Sequence, residues 1–200
     1  MSDTWDDVVG GSKAAARIRT AAIEEFAEHG YGGTTTRRIT ARLGMSPAAM
    51  YPHYASKEEL LFAIAYEGHA LALQVVENAD RPDSEPSDRL ASVIGRFAAW
   101  QAENHRWSRV IQYELAALDR DHYRTIVGLR RQITQVVRGV VDAGHVSGEF
   151  TLPDAEGVTL ALMSLCVDVC RWYPSGRYDD AATISDLYAD LALRLVGAVR

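Results

Sequence analysis

Thr35-Thr-Arg-Arg-Ile-Thr-Ala-Arg-Leu43, then Gly44-Met-Ser46, then Pro47-Ala-Ala-Met-Tyr51 is the stretch whose reading decides the fold. Ile39 and Leu43 stand four apart and make one apolar stripe on a short helix. Thr34 or Thr35 is placed to cap it. Gly44 stops that helix, because the turn needs a residue that tolerates positive φ. Ser46-Pro47 opens a second short helix, with serine as N-cap and proline at the first helical position. Pro52 ends it early by pushing Tyr51 out of the helical region. Helix, glycine-containing turn, helix is the helix-turn-helix arrangement.

Working outward, almost everything from Ser12 onward reads as helix. Ile18, Ala22 and Phe26 form a stripe beside Ala15, with Ser12 as N-cap and Gly30 as the stop. Ser56 and Glu59 have the spacing of a capping box, which starts a helix carrying Leu60, Ile64, Leu71 and Val75. Residues 79–88 are polar, contain two prolines, and read as a linker. Apolar periods then mark helices through Leu90–Trp100, Trp107–Leu118, and a long one through Ile126–Val141 that ends near Gly144. Asp154 caps a helix running to about Cys170, and a last one follows through Ile184–Leu195. The expected fold is all-α: a three-helix helix-turn-helix domain plus a larger helical domain, about nine helices together. The expected boundaries are a disordered tail at 1–11, the helix-turn-helix domain at 12–58, and the larger domain at 59–200.

The chain has 200 residues, 48% of them hydrophobic and 24% charged, which suits a globular protein with a sizeable core. Its net charge of −6 by itself predicts no polyanion as partner. The distribution says otherwise. Residues 12–57 hold seven basic side chains (Lys13, Arg17, Arg19, Arg37, Arg38, Arg42 and Lys57) against Glu24, Glu25 and Glu28, a local charge of +4. The remainder sums to −10. Two cysteines, Cys166 and Cys170, four apart in an apolar run, make no disulfide framework and share one helix face. No secretory signal opens the chain, and the longest apolar stretch, Leu160 to Val167, is far shorter than the ~20 residues of a membrane span. A cytoplasmic protein without membrane contact is expected.

In a helix-turn-helix the second helix enters the major groove with its first residues nearest the bases. Here those are Pro47, Ala48 and Ala49, small enough for close approach and suited to apolar contact with a thymine methyl. Thr35, Arg37, Ser46, Tyr51, His53 and Lys57 carry hydroxyl, imidazole and cationic groups suited to phosphate oxygens. Together these nine are the expected DNA-binding residues, and a double-stranded operator is the expected partner.

The ordered set Phe26-Ala-Glu-His-Gly-Tyr31, Thr34-Thr35, Ile39, Gly44-Met45-Ser46, Tyr51-Pro-His53-Tyr54 and Ser56-Lys57-Glu58-Glu59-Leu60 resembles the DNA-binding domain of the TetR family of repressors. It departs from that pattern at Pro52, which should shorten the recognition helix, at Pro47 and Ala48, which leave no basic side chain at its start, and at Thr36 and Thr40, which replace apolar positions. The resemblance implies a homodimer built on the last two long helices. Leu160, Ser164, Leu187, Leu191 and Leu195 are the expected dimerisation residues, with an intramolecular core as the alternative use of those stripes. It also implies a small-molecule effector. Phe62, Phe97, Trp100, Trp107 and Tyr113, with Met163 and Val167, are the expected ligand-binding residues, an apolar or aromatic pocket in an otherwise ordinary core. The run Cys170-Arg-Trp-Tyr-Pro-Ser-Gly-Arg177 is similar to the end of actinobacterial members that control lipid and steroid breakdown, which implies an amphipathic acyl-CoA as effector.

An enzyme is not expected: the six histidines are scattered and no H-E-x-x-H, G-x-S-x-G or P-loop pattern occurs. No catalytic residue, metal site or cofactor is assigned. Asp119, Asp121 and His122 read as a turn between helices. A redox sensor using the cysteines and a helical interaction module are the remaining alternatives.

Overall fold

The computed structural model describes residues 12–198. The tail expected at 1–11 lies outside the described residues. Among the described residues the protein is all-α, with eight α-helices, two 3₁₀ helices and no strand. The helices are α1 (Lys13–Gly33), α2 (Thr36–Arg42), α3 (Lys57–Ala79), α4 (Pro86–Glu103), α5 (His105–Tyr113), α6 (Arg120–Ser147), α7 (Ala155–Trp172) and α8 (Ala181–Leu195). The 3₁₀ helices are Pro47–Met50 and Leu115–Ala117. The chain forms two compact units: one of residues up to His69 plus Arg106–Val127, the other of Ala70–His105 plus the residues from Gly128 onward.

The first unit is organised around Ile18, Phe26, Ile39, Met50, Leu60 and Ile64, all at most 2% exposed. Burial of such side chains is worth about 1.5–3 kcal/mol each. Ser12 caps α1 by accepting the Ala15 N–H at 3.3 Å, and Gly30 breaks the helix with φ 70°. Thr35, not Thr34, caps α2; Thr34 is buried and donates its hydroxyl to the Glu25 carbonyl at 3.0 Å. Gly44 turns at φ 67°. Thr40, buried where an apolar residue was expected by resemblance, satisfies its hydroxyl on the Thr36 carbonyl at 3.1 Å. Ser56 Oγ accepts the Glu59 N–H at 3.0 Å, and the Glu59 carboxylate accepts the Ala55 N–H at 2.7 Å, one residue ahead of the usual capping box.

Two expectations in this unit change. Tyr51 is not pushed out of the helical region; it keeps φ −61° and ψ −30°. The recognition element ends because Pro52 has no N–H to continue it, so it is one 3₁₀ turn. The helix expected across Trp107–Leu118 is broken at Glu114 (φ −102°, ψ 3°) into α5 and a 3₁₀ turn.

The second unit packs α4 against α7 and α8, with Leu90, Ile94, Phe97, Val137, Leu162 and Ile184 in its core. Gly95 permits the close crossing: a Cβ there would stand 2.8 Å from Ser185 Oγ and 3.0 Å from the Ser185 carbonyl oxygen. Asp154 caps α7 through the Glu156 and Gly157 N–H groups. The long helix does not end at Gly144. It runs to Ser147 and turns at Gly148, φ 82°. Gly144 is a packing glycine, since a Cβ there would lie 2.2 Å from the Phe150 ring. Gly144→Val should therefore destabilise by about 1–3 kcal/mol through overpacking, against a change within about 0.5 kcal/mol for Gly139→Ala beyond helix propensity. Chemical denaturation of the two variants checks this; equal stability would remove Phe150 as the constraint.

Among the described residues α3 is long and apolar enough to cross a membrane by length and composition, with mean hydropathy 1.3 over 18 residues, which the stretch Leu160–Val167 did not foretell. Half of that window is buried within the protein. It also holds Glu67, only 5% exposed, in an ion pair with Arg19. That is the pattern of a core helix.

Candidate nucleic-acid interface

Met50 anchors the recognition turn, with no exposed surface. Around it Ser46, Pro47 and Ala48 are exposed, Ala49 is half-buried, and Tyr51 is 55% exposed. A single buried methionine thus holds a strip of small residues outward. Thr35 Oγ1 accepts the Arg38 N–H at 3.2 Å, which leaves its own hydroxyl proton for an outside acceptor. Arg37, two residues along, is exposed. His53 is half-buried, with Nδ1 3.4 Å from Ser12 Oγ.

Lys57 is placed differently from the expectation of a free phosphate contact. Its ammonium donates to the carbonyls of Tyr31 and Thr34, both at 2.7 Å, and lies 4.0 Å from the Tyr31 ring centre. Burial lowers its pKa below the ordinary lysine value. Two of three N–H groups are used, so Lys57 first ties the end of α1 to the start of α3. One donor remains for an anion.

The local charge of +4 is likewise mostly internal. Arg19 Nε lies 2.7 Å from Glu67, and its Nη1 donates to Tyr54 Oη at 2.8 Å. Glu25, 6% exposed, accepts from Arg38 Nε and Arg42 Nε, each at 2.9 Å. Arg42 also pairs with Glu24 and Glu28. Hydrogen bonds from Arg38, then Arg42, hold the Glu25 carboxyl below the usual range against the opposing effect of its burial. Among the described residues, Lys13, Arg17 and Arg37 are the head's exposed cations outside any ion pair.

Arg19, one of the seven cations counted in the local charge, is thus buried against Glu67, a residue the motif does not include. The signal was present. Arg19 lies on the Ala15-Ile18-Ala22 face, and position 67 fills the gap between Ile64 and Leu71 in the α3 stripe. A charge on an apolar face demands a partner.

Asp119 caps α6, accepting the Asp121 and His122 N–H groups at 2.9 and 2.8 Å. Those bonds hold its carboxyl below the ordinary value. His122 Nδ1 faces Glu58 at 2.9 Å, and its ring stacks on Phe62 at 3.8 Å. Of the three residues expected in a turn, only Asp119 precedes the helix; Asp121 and His122 lie in the first turn of α6, and His122 joins it to the start of α3.

Of the expected pocket residues, Phe62 and Trp107 pack with the first unit, and Trp107 Nε1 donates to the Ile64 carbonyl at 3.0 Å. Tyr113 is 57% exposed. Phe97 and Trp100 are buried in the second unit, and Met163 and Val167 pack against its core. The seven therefore divide between the two units. Of the expected dimerisation residues, Leu160 is 56% and Leu195 41% exposed, Ser164 is exposed, and Leu187 and Leu191 are half-buried. Leu165 is likewise 40% exposed. Cys166 and Cys170 are both buried and in no disulfide. Burial pushes the Cys166 thiol far up, which disfavours the reactive thiolate.

Comparison with known proteins agrees with this arrangement. A family described as bacterial regulatory proteins, tetR family, matches residues 18–64. Another, described as tetracyclin repressor-like, C-terminal domain, matches residues 83–196, more than half of the chain. A bacterial regulatory protein in the tetR family from Rhodococcus RHA1 is 48% identical, with TM-score 0.92 over 95% of this chain and 100% of that one. The fatty acid metabolism regulator protein of Bacillus subtilis (strain 168) is 24% identical over 88% of this chain and 91% of its own length. The structure of AibR in complex with isovaleryl coenzyme A and operator DNA is 21% identical, with TM-score 0.82 over 94% of this chain and 100% of that one. A two-domain match of this extent, on a head whose buried methionine presents a short recognition turn, places the chain in the TetR family of bacterial transcriptional regulators.

Proposed function

We propose that this regulator is a repressor that binds a pseudo-palindromic operator as a homodimer in the cytoplasm and is released by a small amphipathic effector, an acyl-CoA thioester. The observation that carries the DNA-binding reading is the outward strip Ser46–Ala49 and Tyr51 around buried Met50, flanked by Thr35 and Arg37. Pro47, Ala48 and Ala49 approach the base edges. Thr35, Arg37, Ser46, Tyr51, His53 and the remaining donor of Lys57 take phosphate oxygens. Arg37→Ala should weaken binding across all sequences and flatten the salt dependence by about 0.9 in log–log slope. Fluorescence anisotropy on duplex from upstream of the gene, over a salt series, measures both. An unchanged slope would take Arg37 off the phosphate list.

The effector reading is supported by the Cys170–Arg177 run and by the relatives: AibR is described with isovaleryl coenzyme A, and the Bacillus subtilis relative is a fatty acid metabolism regulator. Phe97, Trp100, Met163 and Val167, all of the second unit, are its proposed apolar contacts. An effector shifts the equilibrium only by its differential affinity for the DNA-incompetent state. A coupling of about 1–3 kcal/mol gives roughly 5–150-fold release. If no acyl-CoA, short or long, raises the melting temperature or releases the duplex, the effector class is wrong. Burial of both cysteines speaks against the redox alternative.

A further inference from the structure

We infer that Glu25 is a positioning residue for operator recognition, which clasps α2 onto α1 and withholds Arg38 and Arg42 from DNA. The inference rests on the DNA-binding reading above. Among the described residues, Glu25 is the one buried acid of the head outside the Arg19 pair, at 6% exposed. Each carboxylate oxygen accepts one guanidinium Nε: Oε2 from Arg38 and Oε1 from Arg42, both at 2.9 Å. Its backbone carbonyl also accepts the Thr34 hydroxyl at 3.0 Å, so one residue holds the entry to α2 as well as both cations along it. Glu24 and Glu28 close on the remaining nitrogens of Arg42, and His29 lies 3.8 Å from both Glu25 and Glu28.

The arrangement has two consequences for a helix-turn-helix. The first helix sets where the recognition turn points, and here α2 is only seven residues long. Isolated helices of that length are unstable in water, so α2 keeps its place through tertiary contacts, among them the burial of Ile39 and the bonds of Arg38 and Arg42 to Glu25, the most buried of the three acids of α1 that they meet. Charge-assisted hydrogen bonds to a buried carboxylate fix direction as well as distance. Second, a guanidinium whose charge a carboxylate balances adds less net charge for neutralising phosphate. Sequence-independent affinity scales with the number of phosphates neutralised. Two arginines on α2, left free, would raise binding to any DNA. Held by Glu25, they leave Arg37 as the unpaired arginine of that helix among the described residues, and discrimination falls to the recognition turn.

The test compares wild type with Glu25→Gln and Arg38→Gln, each checked for folding by circular dichroism, in salt series on operator and on unrelated duplex. The wild type must bind operator in preference; absence of any binding defeats the regulator reading itself, not only this one. In Glu25→Gln the clasp loses its charge while keeping its shape. The account expects tighter binding to unrelated duplex, a salt slope steeper by about 0.9–1.8, and a specificity ratio lowered about tenfold. A purely structural role would lower both affinities in parallel with the slope unchanged, and that result overturns the inference. Arg38→Gln covers the case in which Glu25→Gln unfolds: a withheld arginine leaves the slope on unrelated duplex unchanged, whereas a loss of about 0.9 shows it contacts phosphate already and overturns the inference.

Discussion

Glu67→Ala is expected to cost about 3–5 kcal/mol, the largest single loss from one side chain in the DNA-binding head, because it strands the Arg19 guanidinium in the interior. Both side chains of this pair are 6% exposed and their charged atoms are 2.7 Å apart. Tyr54 Oη remains as a neutral acceptor at 2.8 Å and cannot balance the charge. For a chain of this size the loss corresponds to a fall of roughly 6–20 °C in melting temperature. Replacing both partners with apolar residues of similar volume, Arg19→Met with Glu67→Leu, should recover most of it, since such pairs are near break-even against well-packed hydrophobes. Thermal melts of the single and double variants decide the matter. A single variant as stable as wild type would mean that water reaches Arg19, against its 5% exposure. The pair joins α1 to α3 within the first unit, so the single variant should lose operator binding at temperatures where the double variant keeps it.

Leu160→Glu combined with Leu195→Glu should give a folded monomer with operator affinity reduced about 10²–10⁴-fold, the loss of the second, tethered half-site. These leucines are 56% and 41% exposed, so the charges enter water in the monomer and the fold should change by no more than about 0.5 kcal/mol. In a two-fold interface each charge meets its own copy or a leucine, and association fails. Light scattering after size-exclusion chromatography reads the mass, and anisotropy reads the affinity. A variant that stays dimeric, or a monomer that binds as tightly as wild type, would remove this face from the account. Leu187 and Leu191 are weaker tests, because half of each already packs inside its own subunit.

The elements that could be read from residues alone were those set by local chemistry. Ser12, Thr35, Ser56 and Asp154 cap helices because a short oxygen-bearing side chain satisfies an N–H two or three residues on, wherever the chain goes next. Gly44 is legible for the same reason, as a turn with φ 67°. What depended on a distant partner was not legible. Gly144 resembled a helix stop and is instead the floor under Phe150, a contact no local rule contains. Lys57 resembled a phosphate ligand, and it is tied to the carbonyls of Tyr31 and Thr34, residues 26 and 23 positions away. Counting charges gave the head +4, whereas pairing across α1, α2 and α3 leaves Lys13, Arg17 and Arg37 as its exposed unpaired cations among the described residues. The nine expected DNA-binding positions, with their division into base-facing and phosphate-facing groups, came from the sequence; the burial of Met50 beneath them and the bonds of Lys57 did not.

The central claim is sequence-dependent DNA binding by two copies of this chain through the recognition turn. It is tested most directly by titrating duplex from upstream of the gene, and a scrambled duplex, at two salt concentrations with stoichiometry recorded. The account predicts an even number of chains per duplex, preference for the upstream sequence by about 10³-fold or more, and a shallow salt slope on the scrambled duplex because few cations are free. Equal affinity for both duplexes, or saturation at one chain per site with full affinity, would contradict it.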